Sequence, residues 1–301
     1  RPPPRGTRPA GAAPEAVTDP ADLGICLATL LPDPFNADAA AILSTLDAAA
    51  RHGFGGVSAW SLHVMNLDPD PRVFNRAVRD RGLEVRVVEA ATGWAASDGI
   101  DRDGDFTLDM AGELGAHQIV AVTLEAAFAD GGRAVAGFAD LCDRAAERHI
   151  RVALEFLPWS AVPDLASASA LTAAAGRPNG GILLDTWHWQ RQPGGPCPEV
   201  LEGLPAGAIQ VVQLCDASAE PGVDPMGEAM ASRPLPGEGV VDFIALASAL
   251  EGIGATPLLC PEVFNAGLLA AGPSTFAGSV ADACRSAWPS GRHPGPPDGG
   301  H

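Results

Sequence analysis

A rhythm constrains this chain more than any other feature. Eight short apolar runs recur, each followed by a stretch with helical spacing. The runs fall at residues 23–27, 56–59, 84–88, 118–122, 151–154, 181–184, 209–214 and 257–260. Between them, Asp38 opens an alanine run toward His52-Gly53. Residues 133–148 space Val135, Phe138, Leu141 and Ala145 at helical intervals, and residues 240–250 do the same with Phe243, Leu246 and Leu250. Strands alternating with helices imply parallel pairing through right-handed crossovers. Units of about 30 residues, repeated without a break, favour a single α/β domain of the (β/α)8 TIM-barrel type, which needs about 250 residues. A doubly wound sheet is the other arrangement of such units, but no GxGxxG follows the first run. The expected barrel covers residues 21–288. A Pro/Arg/Ala-rich leader at 1–20 and a Gly/Pro-rich tail at 289–301 read as disordered.

Composition narrows the function by exclusion. The formal net charge is −18, and all 19 basic residues are arginine. An acidic chain is poorly suited to nucleic acid or an anionic membrane surface, whose affinity comes from neutralising phosphates. Without lysine there can be no Schiff-base or pyridoxal-phosphate chemistry and no P-loop. Without tyrosine that general acid is missing too. Six scattered cysteines with no CxxC pair point to reduced, buried thiols and a cytoplasmic setting. No apolar run reaches the length of about 18 residues that a membrane-spanning helix requires.

Four consecutive runs end in a polar side chain that can bind a hard cation: Glu155, Asp185, Gln213 and Glu262. A charge at the end of an apolar run costs several kcal/mol unless compensated. The ordinary reading of one such carboxylate is a cap for the next helix. Four in succession suggest one shared compensation. Glu155 to Asp185 is 30 positions and Asp185 to Gln213 is 28, each about one strand–helix unit. Gln213 to Glu262 is 49, one unit plus the long irregular stretch 216–239 that should overhang the active-site mouth. An oxygen-only donor set suits one divalent ion, Mn2+ or Mg2+, better than zinc. His188 follows Asp185 within DTWHW, close enough to touch a substrate, and Arg233 is the basic residue of the long loop. His63, Glu89, Trp94 and Trp159 fall just past strand ends and are candidates to line the pocket; Trp60 and Trp187 are placed alike.

The segments LEFLPW, LLDTWHW, VVQLCDA, RPLPGEGVVDF and PEVF resemble the sugar phosphate isomerase/epimerase family, the xylose isomerase-like TIM barrels. That superfamily includes tagatose 3-epimerase, inosose dehydratase and 3-dehydroshikimate dehydratase. The resemblance spans roughly residues 20–288 and is strongest in the second half. It implies that Glu155, Asp185, Gln213 and Glu262 bind the metal, and that His188 and Arg233 contact substrate. Two departures bear on the reaction. Ketose 3-epimerases carry histidine where Gln213 stands, and a second glutamate where this chain has Ala161.

The reading that follows is a metal-dependent isomerase or epimerase of a polyhydroxy ketone. Glu155 or Glu262 takes the proton next to the carbonyl, and the metal stabilises the enediolate. Elimination of a β-hydroxyl from a cyclic keto acid gives the alternative, a lyase of the dehydroshikimate or inosose dehydratase type. A sugar-binding barrel without turnover is the third reading. Barrels of this kind often form homodimers.

Overall fold

The computed structural model describes residues 22–96, 101, 103–128 and 130–289. Eight parallel strands follow one another around a single sheet: β1 (Gly24–Cys26), β2 (Gly56–Trp60), β3 (Glu84–Ala91), β4 (Gln118–Ala121), β5 (Arg151–Glu155), β6 (Gly180–Asp185), β7 (Ile209–Leu214) and β8 (Leu258–Pro261). A parallel bridge between Leu23 and Leu259 brings the first strand to the last and all but closes the barrel. The strand expectations hold to within a residue or three at each end. The leader at 1–20 and all of the tail but its first residue lie outside the described residues.

The helices wrap the outside: α1 (Ala39–Arg51), α2 (Ser61–Leu67), α3 (Pro71–Arg79), α4 (Gly104–Leu114), α5 (Gly131–Ala146), α6 (Leu165–Ala175), α7 (Thr186–Arg191), α8 (Pro198–Glu202), α9 (Pro225–Ala231), α10 (Phe243–Gly252), α11 (Ala266–Leu269) and α12 (Pro273–Ala287). Their starts are written in the sequence. Asp38, Asp70, Asp130, Asp164, Asp242 and Asn265 each accept a backbone N–H of the following first turn, satisfying groups a helix leaves unpaired. Asp242 therefore starts its helix at Phe243, not at Val240. The stretch 216–239 is not irregular throughout, since α9 forms within it behind Asp224-Pro225. Among the described residues no helix is long and apolar enough to cross a membrane.

Two packed regions follow from the strand alternation. One set of side chains, with the helices' inner faces, makes the main core. The other fills the barrel: Val87, Val120, Ala153, Leu183, Val211 and Cys260 form an apolar layer across its middle. The acidic strand ends lie above that layer.

Candidate active site

Glu155 and Asp185 close β5 and β6, Gln213 is the penultimate residue of β7, and Glu262 directly follows β8. Asp185 is the register partner of Gln213, and Gln213 that of Cys260, which sets the three strand ends at one level. The Gln213 amide donates to Glu262 Oε1 over 3.2 Å. Arg233 Nη1 donates to Asp185 Oδ2 at 2.6 Å and to Glu262 Oε2 at 3.2 Å. His188 Nε2 stands 3.5 Å from Glu155 Oε1, and Glu155, Asp185 and His188 each offer a donor atom within 4.8 Å of the others. All six residues therefore meet at the C-terminal end of the strands. The helix-cap reading of a strand-end carboxylate is true of Asp185 as well. Its Oδ1 accepts from the Trp187 and His188 backbones, at 2.7 and 3.0 Å, which leaves Oδ2 facing Arg233.

The cluster is deep. Relative exposure is 0% for Asp185, 1% for Gln213, 2% for Arg233 and 5% for Glu262, so its charges lack the screening of bulk water. Burial pushes the Glu155 carboxyl up to about 8, with the Asp185 charge adding and Arg233 opposing. Burial likewise drives Glu262 well above the usual carboxylate range, against the pull of Arg233 and with repulsion from Glu89, Glu155 and Asp185. For Asp185 burial acts in the same sense, but Arg233 and His188 outweigh it and hold its carboxyl low. His188 is depressed by burial to about 4 and is neutral near pH 7. These directions favour protons on Glu155 and Glu262 and leave Asp185 as the ionised carboxyl opposite Arg233, the one fixed positive charge. The Gln213 Oε1 atom is buried and has no hydrogen-bond partner among the described residues, an arrangement that costs free energy unless something else binds that oxygen. Three carboxylates and an orphaned amide oxygen fit a hard divalent cation.

The first-half candidates divide. Glu89 belongs to the cluster: its carboxylate, the Glu262 carboxylate and the Cys26 thiol lie within 4.8 Å of one another. Ser58 donates to Glu89 Oε1. Burial raises Glu89 to about 7, with hydrogen bonds from Ser58 and Trp60 opposing. His63 is fully buried. Its Nε2 meets the Pro34 carbonyl at 2.9 Å and its ring stacks on Trp60, with centroids 5.2 Å apart. It supports Trp60 from behind. Trp94 turns away from the mouth, donating to the Val122 carbonyl at 3.0 Å and packing on Phe128 and Phe138. Trp187 is buried beneath the site, whereas Trp159 remains partly exposed, edge-on to His188 at 5.4 Å.

Several residues of the site escaped the sequence reading. Cys26 and Ser58 are ordinary strand residues until the barrel sets them beside Glu262 and Glu89. Asp216, inside VVQLCDA, accepts from the backbones of Ala217, Gly237, Gly239 and Val241 at 2.8–2.9 Å and so folds the loop behind Arg233. A Cβ on Gly239 would lie 2.4 Å from Asp216 Oδ1, so that turn requires glycine. Glu228, on α9, receives Arg191 Nη2 at 2.7 Å and the Trp187 indole at 3.2 Å.

Comparison with known proteins agrees with this fold. The model of the xylose isomerase-like TIM barrel family matches residues 46–283. The chain belongs to that family. A 3-dehydroshikimate dehydratase of Pseudomonas aeruginosa is 29% identical over 235 residues, which is 75% of this chain and 36% of that protein. The chain thus spans about a third of the length of this curated relative. Among solved structures, a xylose isomerase-like TIM barrel/4-hydroxyphenylpyruvate dioxygenase fusion protein superposes with a TM-score of 0.74 at 23% identity, over 87% of this chain and 42% of that one. The IolI protein with a bound zinc atom superposes at 0.71 and 19% identity, over 88% and 99%. At these identities the two structures establish the shared fold.

Proposed function

We propose that this barrel is a divalent-metal-dependent lyase that removes water from a cyclic β-hydroxy keto acid of the 3-dehydroshikimate type. The observation that carries the reading is that Glu155, Asp185, Gln213 and Glu262 end neighbouring strands at one level, with the Gln213 oxygen buried and without a partner among the described residues. These four would hold the metal, with Mn2+ or Mg2+ favoured by the all-oxygen set. When bound, it supplies Lewis-acid stabilisation of charge developing on the carbonyl oxygen.

The chain's own groups account for the rest. A strand-end carboxylate, Glu155 or Glu262, takes the proton from the carbon next to the carbonyl at a carboxylate oxygen. His188, beside Glu155, faces the departing oxygen with a neutral imidazole whose Nδ1 has no hydrogen-bond partner among the described residues. The hydroxyl leaves from the β-carbon with a proton, one water is released, and the carbon framework is neither oxidised nor reduced. Loss of a second ring proton with proton return to oxygen then gives a catechol acid. Arg233 holds Asp185 and Glu262 apart from each other's charge. Trp159 and Trp60 offer apolar faces suited to a flat ring.

Over the isomerase/epimerase reading, the lyase is favoured by glutamine rather than histidine at 213, by Ala161 in place of a second glutamate, and by the curated relative. The decisive experiment supplies 3-dehydroshikimate to protein loaded with Mn2+ or Mg2+ and follows ultraviolet absorbance of the catechol product. Product formation abolished by EDTA and by Glu262→Gln supports the lyase. Deuterium entering a ketose pool from solvent, with no water lost, supports the isomerase instead. Activity indifferent to EDTA ends both schemes.

A further inference from the structure

A cavity of about 660 Å3 opens at the opposite, N-terminal end of the barrel, where β3, β4, β5 and β8 begin. That size suits a small ligand. Arg79, Arg86, His117 and Arg151 contribute basic groups to its wall, with Glu84 as the acidic group there. Position explains why they meet. Arg151 precedes Ala153 by two residues on β5, so it shares the inward face of the barrel's apolar layer, one level lower. Arg79 ends α3, which runs down the outside toward the same opening. The neutral polar groups of this floor are already engaged. Gln118 donates to Gln210 at 3.1 Å, and Gln210 to the Asn179 carbonyl at 3.2 Å.

The arginines are different. In this acidic chain eight of the described arginines lie within 4.0 Å of a carboxylate. Arg79 and Arg151 do not; Arg51, Arg76 and Arg133 share that property but lie outside this cavity. Among the described residues Arg79 Nε reaches only the Asn75 side-chain oxygen, at 3.1 Å, and the exposed Arg151 guanidinium makes no hydrogen bond. Both side chains are exposed toward the cavity, and a guanidinium, with five donors and no acceptor, is suited to hold an anion there. Two of them share one cavity.

We infer that the floor of this barrel binds a small oxyanion, a carboxylate or phosphate group of a metabolite, through Arg151 and Arg79, far from the carboxylate cluster.

The test uses the whole chain at constant ionic strength, titrated separately with inorganic phosphate and with tricarballylate, and read by calorimetry and thermal shift. Saturable binding of either anion at millimolar concentration is expected, and the tighter of the two identifies the group recognised. Arg151→Gln and Arg79→Gln should each weaken it about tenfold or more, as loss of a charge-assisted contact does. Both variants should keep the wild-type melting temperature in anion-free buffer, which shows that they fold, and should keep wild-type metal content. Two results overturn the proposal: no saturable binding of either anion, or equal affinity in wild type and both variants.

Discussion

Arg233 Nη1 lies 2.6 Å from Asp185 Oδ2, with both side chains withdrawn from solvent, and the same nitrogen reaches Glu262. One guanidinium thus joins the ends of β6 and β8 and offsets charge that the barrel would otherwise hold uncompensated. Its Nε is spent on the Ala229 carbonyl at 2.6 Å, so the group is fixed at both ends. Breaking a buried pair by removing one partner costs about 3–5 kcal/mol. Arg233→Met should lose stability of that order in urea denaturation with EDTA present. Saturating Mn2+ should recover part of it, because a cation bound only by the folded state stabilises that state. A variant as stable as wild type in EDTA would show that Arg233 does not balance the cluster.

Gln213 is the neutral member of the proposed donor set, and its oxygen, unpartnered among the described residues, is what makes that set all-oxygen. Gln213→His replaces that oxygen with an imidazole nitrogen, a donor zinc prefers more than magnesium does. Elemental analysis after equal exposure to Mg2+, Mn2+ and Zn2+ should show the variant enriched in zinc relative to wild type. An unchanged metal ratio would place Gln213 outside the coordination sphere.

How much was legible beforehand depends on where each contact originates. The strand ends were readable because a carboxylate closing an apolar run is anomalous in one dimension, and the spacing of 28 to 30 residues supplies the second. Parallel order then places Glu155, Asp185, Gln213 and Glu262 together without knowledge of any side chain. His63 and Trp94 fared worse. Lying past a strand end fixes a residue's height on the barrel, not the side to which its ring turns. One ended behind Trp60 and the other against α5. Asp216 and Glu228 were invisible because their partners are backbone amides and an arginine brought near only by the folded loop.

His188 sits between the Glu155 carboxylate and the edge of Trp159, with Nδ1 lacking a partner among the described residues. Positioned acid–base groups contribute about 10²–10⁴-fold to turnover. His188→Asn should therefore lower kcat for the dehydration by at least about a hundredfold, with metal content and melting temperature near wild type. Loss of metal in this variant would make His188 a ligand beside Asp185 instead.

All six cysteines are unpaired, but only Cys197 is partly exposed. Burial pushes Cys142 and Cys284 up to about 12, and Cys26, Cys215 and Cys260 are driven upward for the same reason. A thiol that is neither ionised nor accessible does not react. Ellman's reagent should titrate one thiol quickly in the native protein at pH 8 and all six in guanidinium. Fast labelling of Cys26 or Cys260 in the native protein would mean that the barrel interior opens far more often than its packing implies.

The long loop after β7 is held down by Glu228. Its Oε1 receives Arg191 at 2.7 Å and the Trp187 indole at 3.2 Å, and its Oε2 receives the Gly222 backbone at 2.6 Å. Burial disfavours the charged carboxyl, but Arg191 and Gly222 outweigh it and hold its pKa below the ordinary glutamate value. A depressed carboxyl contributes stability that is present above the unfolded-state pKa of about 4.3 and is lost as pH falls through the folded-state value. Wild type should therefore melt above Glu228→Gln at pH 6 to 7, with the gap closing on acidification below about pH 4.3 as the carboxyl takes up its proton. Because α7 carries His188 and the loop carries Arg233, the same substitution should loosen both, so that turnover falls while metal content stays, as the proposed strand-end ligands require. A melting gap that persists unchanged to pH 3 would assign the effect of Glu228 to shape rather than to its charge.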